Sequence, residues 1–99
     1  YGGIAWPMPG HEPPGKTYGY GTAKDKADLT KRYKMLQWKT ILPQLGRGLS
    51  ALVYTQLTDV EDEVNGLFTY DRAALKPEAA AVRSCNAALA AEFAKVTAK

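Results

Sequence analysis

Ninety-nine residues, 45% of them apolar and 23% charged, suit one small globular unit and exclude collagenous, coiled-coil and wholly disordered classes. One cysteine, Cys85, and one histidine, His11, exclude an internal disulfide, a multi-cysteine zinc site and a histidine-rich centre, so no metal or other cofactor is expected. The net charge of +3 is unevenly spread, with eight Lys/Arg against two Asp over positions 16 to 47 and two against six acidic residues over 48 to 78.

Residues 1 to 24 hold six Gly and four Pro with Tyr1, Trp6, Tyr18 and Tyr20 among them, a composition that predicts a long loop in place of helix or extended strand. Loops of this length inside a compact unit are usually functional, which directs attention to their aromatics. A helix is predicted from near Asp25, where Thr22 to Asp25 has capping-box spacing, to about Leu42, with Leu29, Tyr33, Leu36 and Ile41 on one stripe. Pro43 and Gly46 are its expected stops. Lys31, Arg32, Lys34 and Lys39 read as the solvated face of that helix. Neither an aromatic-interleaved basic strand nor a recognition-helix pattern accompanies them, so no nucleic-acid partner is expected.

The run from Leu49 to Gln56 is apolar enough for a strand buried on both faces, as in a parallel sheet. Residues 57 to 76 read as a second long loop. Pro77-Glu78 then opens a helix with the stripe Val82, Cys85, Leu89, Phe93 and Val96, in which Cys85 serves as a small buried apolar group. No apolar run approaches the roughly 18 residues of a membrane span, and no membrane partner is expected. A single strand of buried type has no neighbour within the chain, and its main-chain groups need one. The inventory is that of a piece, and helix, strand and helix in succession are the closing units of an α/β barrel.

Chemistry-bearing residues gather after the strand. Asp59, Glu61, Asp62 and Glu63 resemble a calcium loop, but counting Glu61 as the first ligand puts Arg72 where the bidentate Glu belongs, and the match fails. Residues at the C-terminal end of a barrel strand are well placed for an active site, which singles out Tyr54, Gln56, Thr58 and Asp59. Asp59 has two readings, substrate contact or a loop-internal hydrogen bond. Tyr54 and Trp6 each offer an aromatic face to a sugar ring, or alternatively core packing and a loop anchor. His11, beside Glu12 in a Pro-rich stretch, reads as surface. No Ser/His/Asp order, phosphate-cradling glycine loop or metal-ligand spacing is present.

Tyr1-Gly2-Gly3-Ile4-Ala5-Trp6, Tyr18-Gly19-Tyr20-Gly21, the run from Val53 to Glu61, Asn65-Gly66-Leu67 and Asp71-Arg72 together resemble the C-terminal end of glycoside hydrolase family 2. The resemblance covers nearly the whole chain and is most specific from Tyr54 to Arg72. It implies fold class α/β, with residues 1–99 an incomplete domain from the end of a (β/α)8 TIM barrel. The pieces would be the loop after strand seven, helix seven, strand eight, its loop and helix eight.

The resemblance further implies a retaining hydrolase whose two glutamates both lie upstream, one in an Asn-Glu pair and the nucleophile directly before Tyr1. No catalytic residue is then expected in this chain, and the chain alone is expected to be inactive. Tyr1, Trp6, Tyr54, Gln56, Asp59 and Asn65 are the expected substrate-binding residues, with Tyr1 orienting the nucleophile and Tyr54 standing where better-known members place a tryptophan in the floor of the sugar site. Gln56 and Thr58 replace an aromatic and an aspartate found in those members. The implied partners are a carbohydrate substrate and the rest of the barrel. The competing function is a non-catalytic carbohydrate-binding or interaction module that uses the aromatic N-terminal loop. The coding frame upstream of Tyr1 separates the two: a Glu codon immediately before Tyr1, and an Asn-Glu pair further upstream, are the expected outcome, since retention needs both carboxylates.

Overall fold

Asp25 starts the first helix by a side-chain bond to the main chain: its carboxylate accepts the Asp28 N–H at 2.7 Å, while the Asp28 carboxylate accepts the Lys24 N–H at 3.0 Å. The cap is therefore Asp25 itself and not Thr22, and both carboxylates sit where free N–H groups and the helix dipole favour them. The computed structural model describes residues 1–12 and 19–98; Tyr18, part of the aromatic run read from the sequence, lies outside the described residues.

Three helical segments follow one another without a break: α1 (Lys26–Met35), a π-helical segment (Leu36–Ile41) and α2 (Leu42–Leu45). The expected stop at Pro43 does not occur. Leu42 N–H bonds to the carbonyl of Gln37, five residues back, and this wider turn gives room to a proline that has no N–H and would otherwise press on the carbonyl four residues earlier. The same widening alters the buried stripe. Leu29, Tyr33, Gln37, Ile41 and Leu45 recur every four residues and are all buried, so Gln37 takes the place predicted for Leu36.

That stripe packs against α3 (Ala79–Thr97), an alanine-rich helix entered through the buried Pro77. Thr30 Oγ1 donates to the Lys26 carbonyl and accepts the Glu78 N–H at 3.0 Å, fixing the start of α3 on α1. Tyr33 OH donates to Asn86 Oδ1 at 3.0 Å one turn further along. Cys85 is 1% exposed at the centre of the contact, whereas Phe93 and Val96, predicted for the same stripe, stay exposed. A 19-residue helix spans about 28 Å at the usual rise, and its last turn, from Phe93 to Val96, is exposed.

No β-strand is present among the described residues, which corrects the strand predicted for Leu49 to Gln56. Among the described residues, Val53 and Thr55 of this segment pair with the first residues of the chain, and Gln56 pairs with Asn65 and Leu67 of the second loop. The Tyr1 ammonium donates to the Val53 carbonyl at 3.2 Å, Thr55 N–H to the Tyr1 carbonyl at 2.8 Å and Gly3 N–H to the Thr55 carbonyl at 2.7 Å, a parallel bridge centred on Gly2 and Thr55. Leu52 is 40% and Val53 81% exposed, so the segment is not buried on both faces as its composition predicts. Gly2 is required at the bridge: its φ is +97°, and a Cβ would stand 2.7 Å from the Tyr54 ring and 2.9 Å from the Thr55 carbonyl oxygen.

The described unit is therefore small and helical with isolated bridges in place of strands, and its apolar Leu52, Val53, Leu57 and Phe93 face outward. Open strand edges flanked by exposed apolar side chains promote association. Residues 1–99 expressed alone are expected to self-associate and to melt without a cooperative transition. Size-exclusion chromatography and circular dichroism during heating check this, and a sharp monomeric melt would show that the two helices shield the edge.

Candidate functional site

The bridge fixes where both long loops start. Leaving Gly3 and Thr55 at the same end, they are joined by Trp6 N–H donating to the Val64 carbonyl at 2.8 Å. The first loop closes on itself through a second parallel bridge between Ala5 and Thr22, and Tyr20 N–H bonds to the Gly3 carbonyl at 2.6 Å. A pocket of about 360 Å³ opens at this junction, lined by Tyr1, Gly2, Gly3, Tyr20 and Thr55.

On the helix side of the bridge, Tyr54 lies edge-on to two other rings. Its centroid is 5.3 Å from Tyr1 and 5.4 Å from Tyr33, both T-shaped contacts that match positive ring edges to negative faces. The Tyr1 hydroxyl meets the buried Gln37 amide, Nε2 donating at 3.1 Å. Gln37 lies outside the stripe expected from the sequence, and the π turn brings it here. Burial, reinforced by the neighbouring Tyr33 and Tyr1 phenols, pushes the Tyr54 phenol up to about 12. A cavity of about 380 Å³ opens beside the three rings and reaches Leu52 and Asn86.

The second loop carries the polar groups. Gln56 Nε2 donates to Asn65 Oδ1 at 2.6 Å and reaches Glu63 Oε2 at 3.4 Å, while Gln56 N–H bonds to the Asn65 carbonyl at 3.2 Å. Asn65 is fully buried, and its Nδ2 has no hydrogen-bond partner among the described residues. Asp59 is buried too. Its Oδ1 accepts the Gly66 N–H at 2.8 Å and the Lys76 ammonium at 2.7 Å, and Lys76 also donates to the Val64 carbonyl at 2.9 Å. These are loop-internal contacts, the second of the two readings of Asp59. Gly66 must be glycine, since a Cβ there would lie 2.3 Å from the Asp59 nitrogen.

Lys76 is 0% exposed, and burial lowers its pKa while Asp59 opposes that shift. Sequence reasoning missed it, because a lysine before Pro77 has the look of a surface residue at a helix entrance. At the rim, His11 Nδ1 meets Asp71 Oδ2 at 2.7 Å and so joins the two loops once more. Asp71 is held well below the usual carboxylate range by the Thr69 hydroxyl first, then by His11 and the Ala73 N–H.

Thus the bridge and loops bring Tyr1, Tyr54, Gln56 and Asn65 to one end of the molecule, with Trp6 half-buried above Val64. Asp59 lies beneath them, turned toward Lys76. Among the described residues no group of three His, Cys, Asp or Glu is placed to hold a metal ion, and no helix is long and apolar enough to cross a membrane. No family model matches the chain, and no curated protein matches it.

The Tyr54 phenol supplies a pH test. An unfolded tyrosine ionises near pH 10, so the stability that Tyr54 contributes by remaining protonated is complete below about pH 10 and is lost as pH rises toward 12. The difference between ultraviolet titrations of the wild-type protein and Tyr54→Phe is expected to show one phenol ionising only near pH 12. A step near pH 10 would place the ring in water.

Proposed function

We propose that this chain closes the catalytic barrel of a retaining glycosidase resembling glycoside hydrolase family 2, and that the intact protein hydrolyses the β-glycoside of a neutral sugar such as a galactoside. The observation that carries the reading is the parallel pairing of Tyr1–Gly3 with Val53–Thr55, connected through the helical rod Lys26–Leu45. A parallel bridge whose two sides are joined through a helical rod has the order expected of a βαβ unit reduced to its strand ends, and α3 follows where the next helix of a barrel would stand. Both loops leave the C-terminal ends of the paired segments, where barrel enzymes build their sites. The exposed Leu52 and Val53, together with main-chain groups of Tyr54 that face away from Tyr1, fit a chain whose partner is the rest of its own barrel.

In this reading the nucleophile and the acid/base are glutamates of the upstream barrel, about 5 to 5.5 Å apart, and the sugar passes through a covalent glycosyl-enzyme that water hydrolyses. This chain binds and orients. Tyr1, clamped by Gln37 and Tyr54, sets the direction of the strand end on which the nucleophile stands. Tyr54 and Trp6 supply aromatic surface at the sugar site, and the Gln56 and Asn65 amides supply neutral hydrogen-bonding groups. Asp59 serves beneath them as loop structure.

The charge around Gln56 bears on the substrate. Family relatives that cleave glucuronides place an Asn-x-Lys run before the glycine of this loop to hold the sugar carboxylate. Here that run is Glu63-Val64-Asn65, and the Glu63 carboxylate stands 3.4 Å from the Gln56 amide. A sugar carboxylate would meet repulsion in place of an ammonium group. A hydrogen bond to a charged group contributes roughly 1.5 to 3 kcal/mol, on the order of 10- to 150-fold in kcat/KM. The intact protein is expected to favour an aryl β-galactoside over an aryl β-glucuronide, and the combined Glu63→Asn and Asn65→Lys variant to shift the ratio toward the glucuronide. A wild type that prefers the glucuronide, or one that hydrolyses neither, overturns the assignment.

A further inference from the structure

Lys76 lies outside every group of residues considered so far for the sugar, yet its ammonium is the centre of the loop that carries them. It is 0% exposed and divides its donors between Asp59 Oδ1 at 2.7 Å and the Val64 carbonyl at 2.9 Å. Asp59 Oδ1 in turn receives the Gly66 N–H at 2.8 Å. The residue between those two anchors is Asn65. Its preceding carbonyl is held by Lys76 and by Trp6 N–H, and its following amide by Asp59, so the peptide groups on both sides of Asn65 are fixed. The Asn65 side chain then orients Gln56 through the 2.6 Å bond and retains a buried Nδ2 without a partner among the described residues.

We propose that Lys76 is a positioning residue of the sugar site: through the Val64 carbonyl and Asp59 it sets the orientation of the Asn65 and Gln56 amides that receive the substrate. The proposal rests on the glycosidase reading above. A buried pair of this kind often contributes less stability than well-packed neutral groups of similar volume, whereas removal of one partner leaves an uncompensated charge. Function and folding therefore separate if both charges are removed together.

The test uses the intact gene product in four forms: wild type, Lys76→Met, Asp59→Asn, and the double variant Asp59→Asn/Lys76→Met. Lys76→Met alone is expected to lower the melting temperature and to raise KM for an aryl β-galactoside. In the double variant the melting temperature is expected to return close to that of the wild type. KM, and the inhibition constant of free galactose, are expected to remain raised by about 10- to 100-fold, because the Val64 carbonyl still lacks its ammonium; misplacement of a binding group by about 1 Å has effects of that size. Recovery of wild-type KM in the double variant would overturn the proposal, leaving Lys76 a charge balance for Asp59 and nothing more. A double variant that does not fold overturns it as well, since the pair is then a requirement of the fold. Amide hydrogen exchange at Asn65 and Gly66 provides a readout independent of activity. If the wild type hydrolyses no aryl glycoside, the glycosidase reading fails, and faster exchange at these two amides in the double variant still supports the positioning role while unchanged exchange removes it.

Discussion

Three main-chain hydrogen bonds between Tyr1–Gly3 and Val53–Thr55 join segments more than fifty residues apart, and nearly every later feature follows from them. They bring the starts of both long loops to one end, seat Tyr1 against Tyr54, and force glycine at position 2, where a Cβ would strike the Tyr54 ring. The intervening rod then has little choice of position, because Tyr33 and Gln37 must meet the rings that the bridge presents. Closure of so long a loop has a large entropic cost, offset here by the apolar stripe packed on α3.

The helices and their inward faces were largely legible in the sequence. Leu29, Tyr33, Ile41 and Cys85 are buried as their spacing implies, and the described residues of the Gly-rich and acidic stretches form loops. What could not be read depends on contacts distant in sequence. Pro43 signals a helix end by local rules, and only the wider turn at Leu36–Ile41 removes the clash. The run Leu49 to Gln56 has strand composition, but strand formation needs a neighbouring chain, and residues 1–3 supply only a short one. For Lys76 no local pattern exists, since a lysine and an aspartate seventeen positions apart carry no periodic signal of pairing.

Polar groups inside the second loop also show how a segment without regular structure can be ordered. Beside its main-chain bonds, side chains hold its own backbone: Asp59 accepts the Gly66 N–H, Lys76 donates to the Val64 carbonyl and Thr58 donates to the Thr69 carbonyl. Buried loop peptides need such partners, because water no longer reaches them. The ionic member of this set sits lowest, under the amides, where the surrounding apolar groups strengthen its attraction and raise the cost of leaving either charge alone.

The π-helical segment constrains how the length of this chain can vary. An α-helical residue advances its successors by about 100° of rotation. Gain of one residue between Tyr33 and Ile41, where the turn is already wide, would turn Ile41 and Leu45 away from α3 while Leu29 and Tyr33 kept their places. The rod would then be divided into a half aligned with the bridge and a half aligned with solvent. An added residue would be absorbed after Leu45 instead, in the exposed Gly46-Arg47-Gly48 turn, where it alters neither register. The wide turn acts as a spacer of fixed size: it measures the distance from the aromatic rings to the far end of the helix pair in whole residues, and the loop beyond it takes up the remainder.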